Sequence, residues 1–230
     1  MIKRLGLILC ALVLSGSAAA QQLPGVVGHA ERELVDPDPA KAPAGEYVVD
    51  QGHAAVIGRI LHGNLAYLYF RFNPEGINGR FVYDPENPEA TTIEMTLDSD
   101  AIDFGLPRFD NRIKSDEFVD VERYPVITFV STDITRRDMT HGTITGDLTM
   151  KGVTAPFTMD ATFNGSGPAG RSIQMGFSAT AELTLSDFDI SIGDNNVSGP
   201  VLLNISIEFE NTEQETDINS VLQFLQGQNN

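Results

Sequence analysis

Apolar and polar residues alternate with a period of two along most of the chain, which is the pattern of β-strands that bury one face. The clearest runs cover residues 65–72, 91–97, 143–150, 157–163, 173–185 and 201–209. Most of these runs pair an apolar row with a row rich in threonine, serine and charged residues. One buried face and one wet face indicate antiparallel strands.

Turn-forming residues separate these runs, at positions 73–76, 84–88, 151–152, 164–167 and 193–195. Eight or nine short strands at this spacing are typical of a barrel or a sandwich. The run at 173–185 is longer than a typical sandwich strand. The sequence therefore predicts an all-β fold, an antiparallel barrel of about eight strands.

Two segments break the alternation. Between residues 98 and 125 the period of two fails, and residues 110–118 favour one or two short helices beside the barrel mouth. Near the end of the chain, residues 217–225 carry apolar side chains at helical spacing, which predicts a short amphipathic helix.

The first twenty residues have the layout of a cleavable secretory signal. Lys3 and Arg4 precede an apolar run at 5–14, and small residues lead up to Ala20. The apolar run is about ten residues long, too short for a bilayer span of roughly 20. We expect cleavage after Ala20 and a periplasmic, secreted product that is not embedded in a membrane.

This signal gives the chain four parts. Residues 1–20 are the signal peptide, and residues 21–45 form a flexible leader because they are rich in proline and glycine without apolar periodicity. Residues 46–210 form the barrel. Residues 211–230 form a C-terminal tail that contains the short amphipathic helix.

Charge and residue content exclude several classes of function. With 15 Lys and Arg against 32 Asp and Glu, the chain has a net charge of −17 and repels nucleic acid. The single cysteine, Cys10, lies in the signal, so the mature chain has no thiol chemistry. No histidines share a metal-binding spacing, and no nucleophile motif occurs. The sequence therefore predicts a protein that is not an enzyme, with no catalytic residue, metal or cofactor.

The barrel interior is the place left for function. A barrel of this size either fills its lumen with side chains or encloses one small ligand. Its apolar rows mix small residues, such as Gly146, Ala161 and Ala179, with long ones. The pattern alone leaves both a filled and a partly empty lumen open.

From Tyr47 to about Phe209 the chain resembles the YceI-like family of polyisoprenoid-binding proteins. The resemblance rests on an ordered series of motifs. These are Tyr47-Val48-Val49-Asp50 followed by His53, the run 113–121 leading into 124–129, the run 145–154 followed by Pro156, and Ser186-Asp187-Phe188. The resemblance implies an exported, lipocalin-like barrel that holds an isoprenoid chain along its axis.

Two positions depart from the family pattern. Arg112 stands where the family usually has a histidine, and Leu185 stands where it tends to have an arginine. A buried pyrophosphate needs cationic partners, and this acidic chain offers few of them. We therefore expect a neutral headgroup, with Arg112 and Ser115 as hydrogen-bond donors at the entrance.

The strand pattern and the resemblance together give a candidate ligand-binding set. Phe70, Met95, Phe177, Leu183 and Ile205 are expected to face the interior, and Glu94, Glu182 and Glu208 to face solvent. The full set of candidate ligand-binding residues is His53, Phe70, Met95, Phe104, Arg112, Ser115, Phe118, Phe129, Met159, Met175, Phe177, Leu185 and Ile205.

These expectations lead to two functional hypotheses. In the first, the protein sequesters or transports an isoprenoid lipid, a quinone or a polyprenol, inside the barrel. The alternative is a secreted stress-related or interaction protein with a filled barrel and no lipid ligand. The sequence leaves the oligomeric state open, a homodimer included.

Overall fold

A computed structural model of the protein describes residues 35–169, 172–191 and 197–215. The predicted signal peptide, the first part of the leader and the predicted helix at 217–225 lie outside the described residues. None of the described helices is long and apolar enough to cross a bilayer.

Ten strands and one α-helix make up the described chain, together with short 3-10 turns. In chain order these elements are β1 (Gly45–His62), β2 (Ala66–Phe72), β3 (Ile77–Tyr83), β4 (Ile93–Asp98), β5 (Ile102–Asp103), α1 (Pro107–Lys114), β6 (Val126–Arg136), β7 (His141–Met150), β8 (Val153–Ala169), β9 (Ser172–Leu183) and β10 (Val197–Glu215).

Eight of the strands close into an antiparallel barrel, which confirms the predicted fold class. The order around the barrel is β1, β3, β4, β6, β7, β8, β9 and β10, and β10 pairs back onto β1. Strand β1 is long enough to have two partners on one edge: Gly45 to Val48 pair with β3, and Ile57 to His62 pair with β2. Strands β2 and β5 form a small flap beside the ring.

The alternation places the apolar rows inside, as the sequence predicts. Phe70, Met95, Phe177, Leu183 and Ile205 all face the barrel cavity. On the outer surface, Glu94 and Glu182 are exposed, and the side chain of Glu208 is partly exposed. A register slip of one residue would have reversed these faces, so the inward and outward assignment is confirmed.

One α-helix occupies the segment where the sequence predicts one or two. It begins at Pro107, three residues before the predicted start, because proline suits the first turn of a helix. It ends at Lys114, and Ser115 Oγ donates a hydrogen bond of 2.7 Å to the Arg112 carbonyl oxygen. The chain then continues in turns, in which Asp120 adopts a φ of 54°.

An aromatic layer packs one end of the barrel. Tyr47 is fully buried and stacks on Phe81 with ring centroids 5.2 Å apart. Its hydroxyl donates to the Pro43 carbonyl oxygen, and the Tyr83 hydroxyl donates to that of Pro39. Burial raises the pKa of both tyrosines. The second half of the predicted leader therefore packs against the barrel.

Candidate functional site

The barrel encloses an apolar cavity of about 320 Å³. All eight barrel strands contribute to its lining, and β2, β5 and α1 complete the wall. Of the described lining residues, two are solvent-exposed, His62 at the end of β1 and Arg112 on α1. These two side chains therefore mark the cavity mouth.

Neighbouring side chains, rather than empty space, lie beside the glycines of the inward rows. A Cβ on Gly58 would lie 2.1 Å from the Phe70 ring, and a Cβ on Gly146 would lie 2.6 Å from the Phe129 ring. Both rings therefore pack directly against the main chain at these two glycines. The cavity instead borders the small residues Ala161 and Ala179.

Aromatic rings line the side of the cavity near α1. Phe70 stacks on Phe104 with centroids 5.0 Å apart, and Phe104 lies 6.5 Å from Phe109. Stacked and tilted rings at these distances make a stiff apolar wall. This wall joins the flap to the helix.

The cation at the mouth is already paired. Arg112 Nη2 lies 3.1 Å from Glu117 Oε1, and its guanidinium group lies over the Phe118 ring at 5.2 Å. On the same helix, Lys114 Nζ lies 3.1 Å from Asp100 Oδ1. The positive charges of Arg112 and Lys114 are therefore offset by neighbouring carboxylates.

Ten of the thirteen predicted ligand-binding residues line this cavity. They are Phe70, Met95, Phe104, Arg112, Phe118, Phe129, Met159, Phe177, Leu185 and Ile205. Leu185 does so from a 3-10 turn, because β9 ends two residues earlier.

Three predicted residues do not reach the cavity. Ser115 closes the end of α1, with its hydroxyl bonded to the Arg112 carbonyl. Met175 is buried but lines a second, smaller cavity. His53 lies on the outer surface of β1, with a side chain that is 62% exposed.

His53 belongs to a polar cluster at an irregularity in β1. The pairing of β1 with β10 shifts between Val49 and Ala54. His53 Nδ1 lies 2.8 Å from Asp50 Oδ2, and Gln174 Nε2 donates to that same oxygen at 3.0 Å. The hydrogen bond from His53 lowers the pKa of Asp50, and the same bond raises the pKa of His53.

Side chains in this stretch also link β1 to β3. Gln51 Nε2 lies within hydrogen-bond distance of the carbonyl oxygens of Glu75 and Ile77 and of Asn78 Oδ1. These contacts lie where main-chain pairing of β1 with β3 has stopped. The motif around His53 thus links neighbouring strands on the outside of the barrel and does not contact its interior.

Among the described residues, one group could hold a metal ion: Asp50, His53 and Glu208, whose ligand atoms lie within 4.8 Å of one another. The Asp50 oxygen nearest His53 already accepts two hydrogen bonds. Hydrogen bonding within the fold therefore accounts for this cluster.

Sequence reasoning missed several lining residues. His62 continues the inward row of Ile60 at the spacing of two, so the strand pattern could have placed it at the mouth. The buried rings of Phe157 and Phe209 also line the cavity and lie in runs that the alternation had identified.

Residues 47–209 match the YceI-like domain family. This chain belongs to the YceI-like family. A UPF0312 protein of Pseudomonas putida is 38% identical over 172 residues, which cover 73% of this YceI-like chain and 88% of the relative. The resemblance that the ordered motifs suggested is thereby confirmed.

Two solved structures share the YceI-like fold of this chain. BcnA of Burkholderia cenocepacia superimposes with a TM-score of 0.60 at 20% identity, covering 70% of this chain and 98% of BcnA. A polyisoprenoid binding domain from Saccharophagus degradans, implicated in plant cell wall breakdown, gives a TM-score of 0.51 at 11% identity, covering 74% and 99%. At these identities the comparison establishes the fold.

Proposed function

We propose that this YceI-like barrel binds a single isoprenoid chain, that of a quinone or a polyprenol, and sequesters or carries it rather than acting as an enzyme. The observation that carries the proposal is the apolar cavity of about 320 Å³. Protein interiors normally contain few voids larger than a water molecule. A cavity of this size lies instead within the range of ligand pockets.

The energy of an empty cavity also favours an occupant. At roughly 24 cal/mol per Å³, the value for enclosed cavities in protein cores, leaving this volume of about 320 Å³ empty costs up to about 8 kcal/mol compared with a packed interior. That cost is comparable to the whole stability of a typical domain, about 5–15 kcal/mol. A hydrocarbon chain recovers much of it, whereas the filled-barrel alternative needs side chains in that space, and none of the described residues places one there.

The polarity of the lining favours a neutral headgroup. Ser99 lines the cavity, but its hydroxyl donates to the Tyr124 carbonyl oxygen. At the mouth, Arg112 is paired with Glu117, and Leu185 supplies hydrocarbon. A phosphate held here would compete with Glu117 for the guanidinium, while a quinone or alcohol oxygen needs only a hydrogen bond from Arg112 or His62.

The lipid extracted from the purified protein tests this proposal. Native mass spectrometry is expected to show one bound lipid, and organic extraction to yield a quinone or a free polyprenol. Two variants, Arg112→Ala and Leu185→Arg, test how the mouth recognises the headgroup. The first is expected to weaken retention, and the second to favour phosphorylated lipids.

Two results would contradict the proposal in different ways. Recovery of a polyprenyl pyrophosphate from the wild type would overturn the neutral headgroup but keep lipid binding. A wild type that takes up no prenol or quinone, even when supplied with them, would favour a filled-barrel interaction protein.

Export to the periplasm is part of the same proposal. It is supported by Lys3, Arg4, the apolar run at 5–14 and the small residues before Gln21. N-terminal mass analysis of the exported product is expected to give Gln21 as the first residue. A product that keeps the apolar run would contradict export by a cleavable signal.

A further inference from the structure

A second cavity of about 110 Å³ lies next to the first. It borders the aromatic layer at the packed end, where Tyr83, Phe163 and Met175 form part of its wall, and exposed residues around the β6–β7 turn, among them Asp138 and His141, form its outer rim. Five residues line both cavities, and they come from five different strands of the barrel. These shared residues are Phe81, Ile93, Ile144, Ala161 and Phe177.

Aromatic rings separate the two cavities. Phe81 on β3 and Phe177 on β9 stand almost perpendicular, with centroids 6.0 Å apart. Phe209 on β10 lies 4.9 Å from Phe81 and 5.9 Å from Phe177. We call these three rings the partition.

Phe177 is the member of the partition whose removal would open a passage. It is less buried than Phe81 and Phe209 and lines both cavities, whereas Phe209 lines the larger one. Its neighbour on the inward row of β9, Ala179, is small, and so is Ala161 on the adjacent strand. Without the Phe177 ring, the small residues Ala161 and Ala179 leave a gap on the β8–β9 side, while Phe81, Ile93 and Ile144 still separate the cavities on the other side.

We propose that the partition sets the longest isoprenoid tail that the barrel accepts, and that the smaller cavity is a distal tail subsite that opens when Phe177 is shortened. The inference rests on the proposed function. A tail that runs along the barrel axis meets the partition, so a longer tail must either displace a ring or leave carbons exposed at the mouth. Excess methylenes in a filled pocket cost about tenfold or more in binding.

Prenols of increasing length test this proposal. Delipidated wild type and Phe177→Ala are each mixed with geraniol, farnesol, geranylgeraniol and longer polyprenols, and native mass spectrometry gives the occupancy. Wild-type occupancy is expected to fall about tenfold or more beyond a limiting length. In Phe177→Ala the limiting tail length is expected to increase by at least one isoprene unit.

Phe157→Ala is the matched control. Phe157 lines the larger cavity without reaching the smaller one, so its loss widens the cavity on one side of the partition. Its affinities change, but its limiting length stays that of the wild type. Phe177→Leu retains more of the packing and gives a smaller upward shift, which tests the idea even where Phe177→Ala does not fold.

The outcomes separate this inference from the proposed function. A wild type that binds no prenol of any length overturns the proposed function and this inference with it. Prenol binding with the same limiting length in wild type, Phe177→Leu and Phe177→Ala overturns the inference alone. An equal increase of the limiting length in Phe157→Ala also overturns the inference, because the total cavity volume, rather than the partition, would then set the limiting length.

Discussion

Gly58 is the described glycine at which an added Cβ would make the shortest contact. It lies on the inward row of β1, and a Cβ built there would meet the Cζ atom of Phe70 at 2.1 Å. The substitution Gly58→Ala therefore forces Phe70 out of position and is expected to lower the free energy of unfolding by about 1–3 kcal/mol. Urea denaturation measures this change.

Gly176 provides the control for Gly58. A Cβ at Gly176 would have its nearest neighbour at 3.6 Å, an ordinary contact. Gly176→Ala should leave stability unchanged or raise it slightly, because alanine loses less entropy on folding. Equal effects of the two substitutions would show that the contact with Phe70 is easily relieved.

Glycines also show what the sequence can predict at this scale. The period of two correctly placed Gly146 in an inward row. Its small size left empty space there possible, yet the Val130 carbonyl oxygen and the Phe129 ring lie within 2.6 Å of where a Cβ would be. Periodicity gives the face of a residue, but the choice of which neighbour covers a glycine depends on cross-strand packing that the pattern does not contain.

The first strand explains why His53, a candidate ligand-binding residue, lies outside the cavity. Tyr47 is buried at an odd position, whereas Ala54 and Val56 are buried at even positions. The inward phase therefore switches within β1, at the irregularity between Val49 and Ala54. Because the motif around His53 spans this switch, the resemblance identified the residues but not their side of the strand.

The polar cluster at this irregularity gives β1 a pH-dependent stability. The raised pKa of His53 stabilises the fold fully below its ordinary value of 6.5, and the benefit is lost as pH rises through the raised value. The lowered pKa of Asp50 contributes above its ordinary value of 3.8, and that benefit is lost as pH falls through the lowered value. The pair is therefore most effective between these two ordinary values.

The substitution His53→Gln keeps a hydrogen-bonding side chain but removes the charge. We expect it to lower the urea midpoint relative to wild type at about pH 5 and to have little effect at about pH 9. Asp50→Asn should make the urea midpoint depend less on pH over the same range. A His53→Gln deficit of equal size at both pH values would mean that packing, rather than charge, accounts for the contribution of His53.

The helical segment was harder to predict than the strands. Residues 98–125 lack alternation, and the sequence indicated helices near the mouth without fixing their bounds. The structure places α1 so that Phe109, Arg112 and Ile113 reach the cavity. A short helix of this kind is held by its contacts with the barrel, which local sequence does not reveal.

Ring closure follows from the pattern of the whole chain, but the size of the lumen does not. Eight long antiparallel strands with one apolar face can bury that face by closing, and the sequence predicted this closure. The cavity volume depends on how far rings such as Phe70, Phe81 and Phe177 extend across the interior. Side-chain packing between distant strands decides that distance, so the strand pattern alone left both a filled and a partly empty lumen open.

Net charge acts on the whole molecule when it meets a membrane. The chain carries −17, and two cations of α1 are paired with carboxylates, Arg112 with Glu117 and Lys114 with Asp100. Long-range repulsion from an anionic surface should therefore exceed local attraction at the mouth. Salt reduces this repulsion, because the Debye length falls to about 8 Å at physiological ionic strength.

The transfer of a fluorescent polyprenol from vesicles to the delipidated protein measures this balance. From phosphatidylcholine vesicles the rate is expected to change little with salt. From vesicles rich in phosphatidylglycerol it should be slower at low salt and approach the phosphatidylcholine rate as salt rises, because the repulsive field is screened. Glu117→Gln, which removes the carboxylate 3.1 Å from Arg112 at the mouth, should speed transfer from the anionic vesicles more than Glu94→Gln on the barrel wall, although both remove one negative charge. Faster low-salt transfer from the anionic vesicles than from phosphatidylcholine would contradict this expectation, and would mean that the cations of α1 govern the approach despite the acidity of the chain.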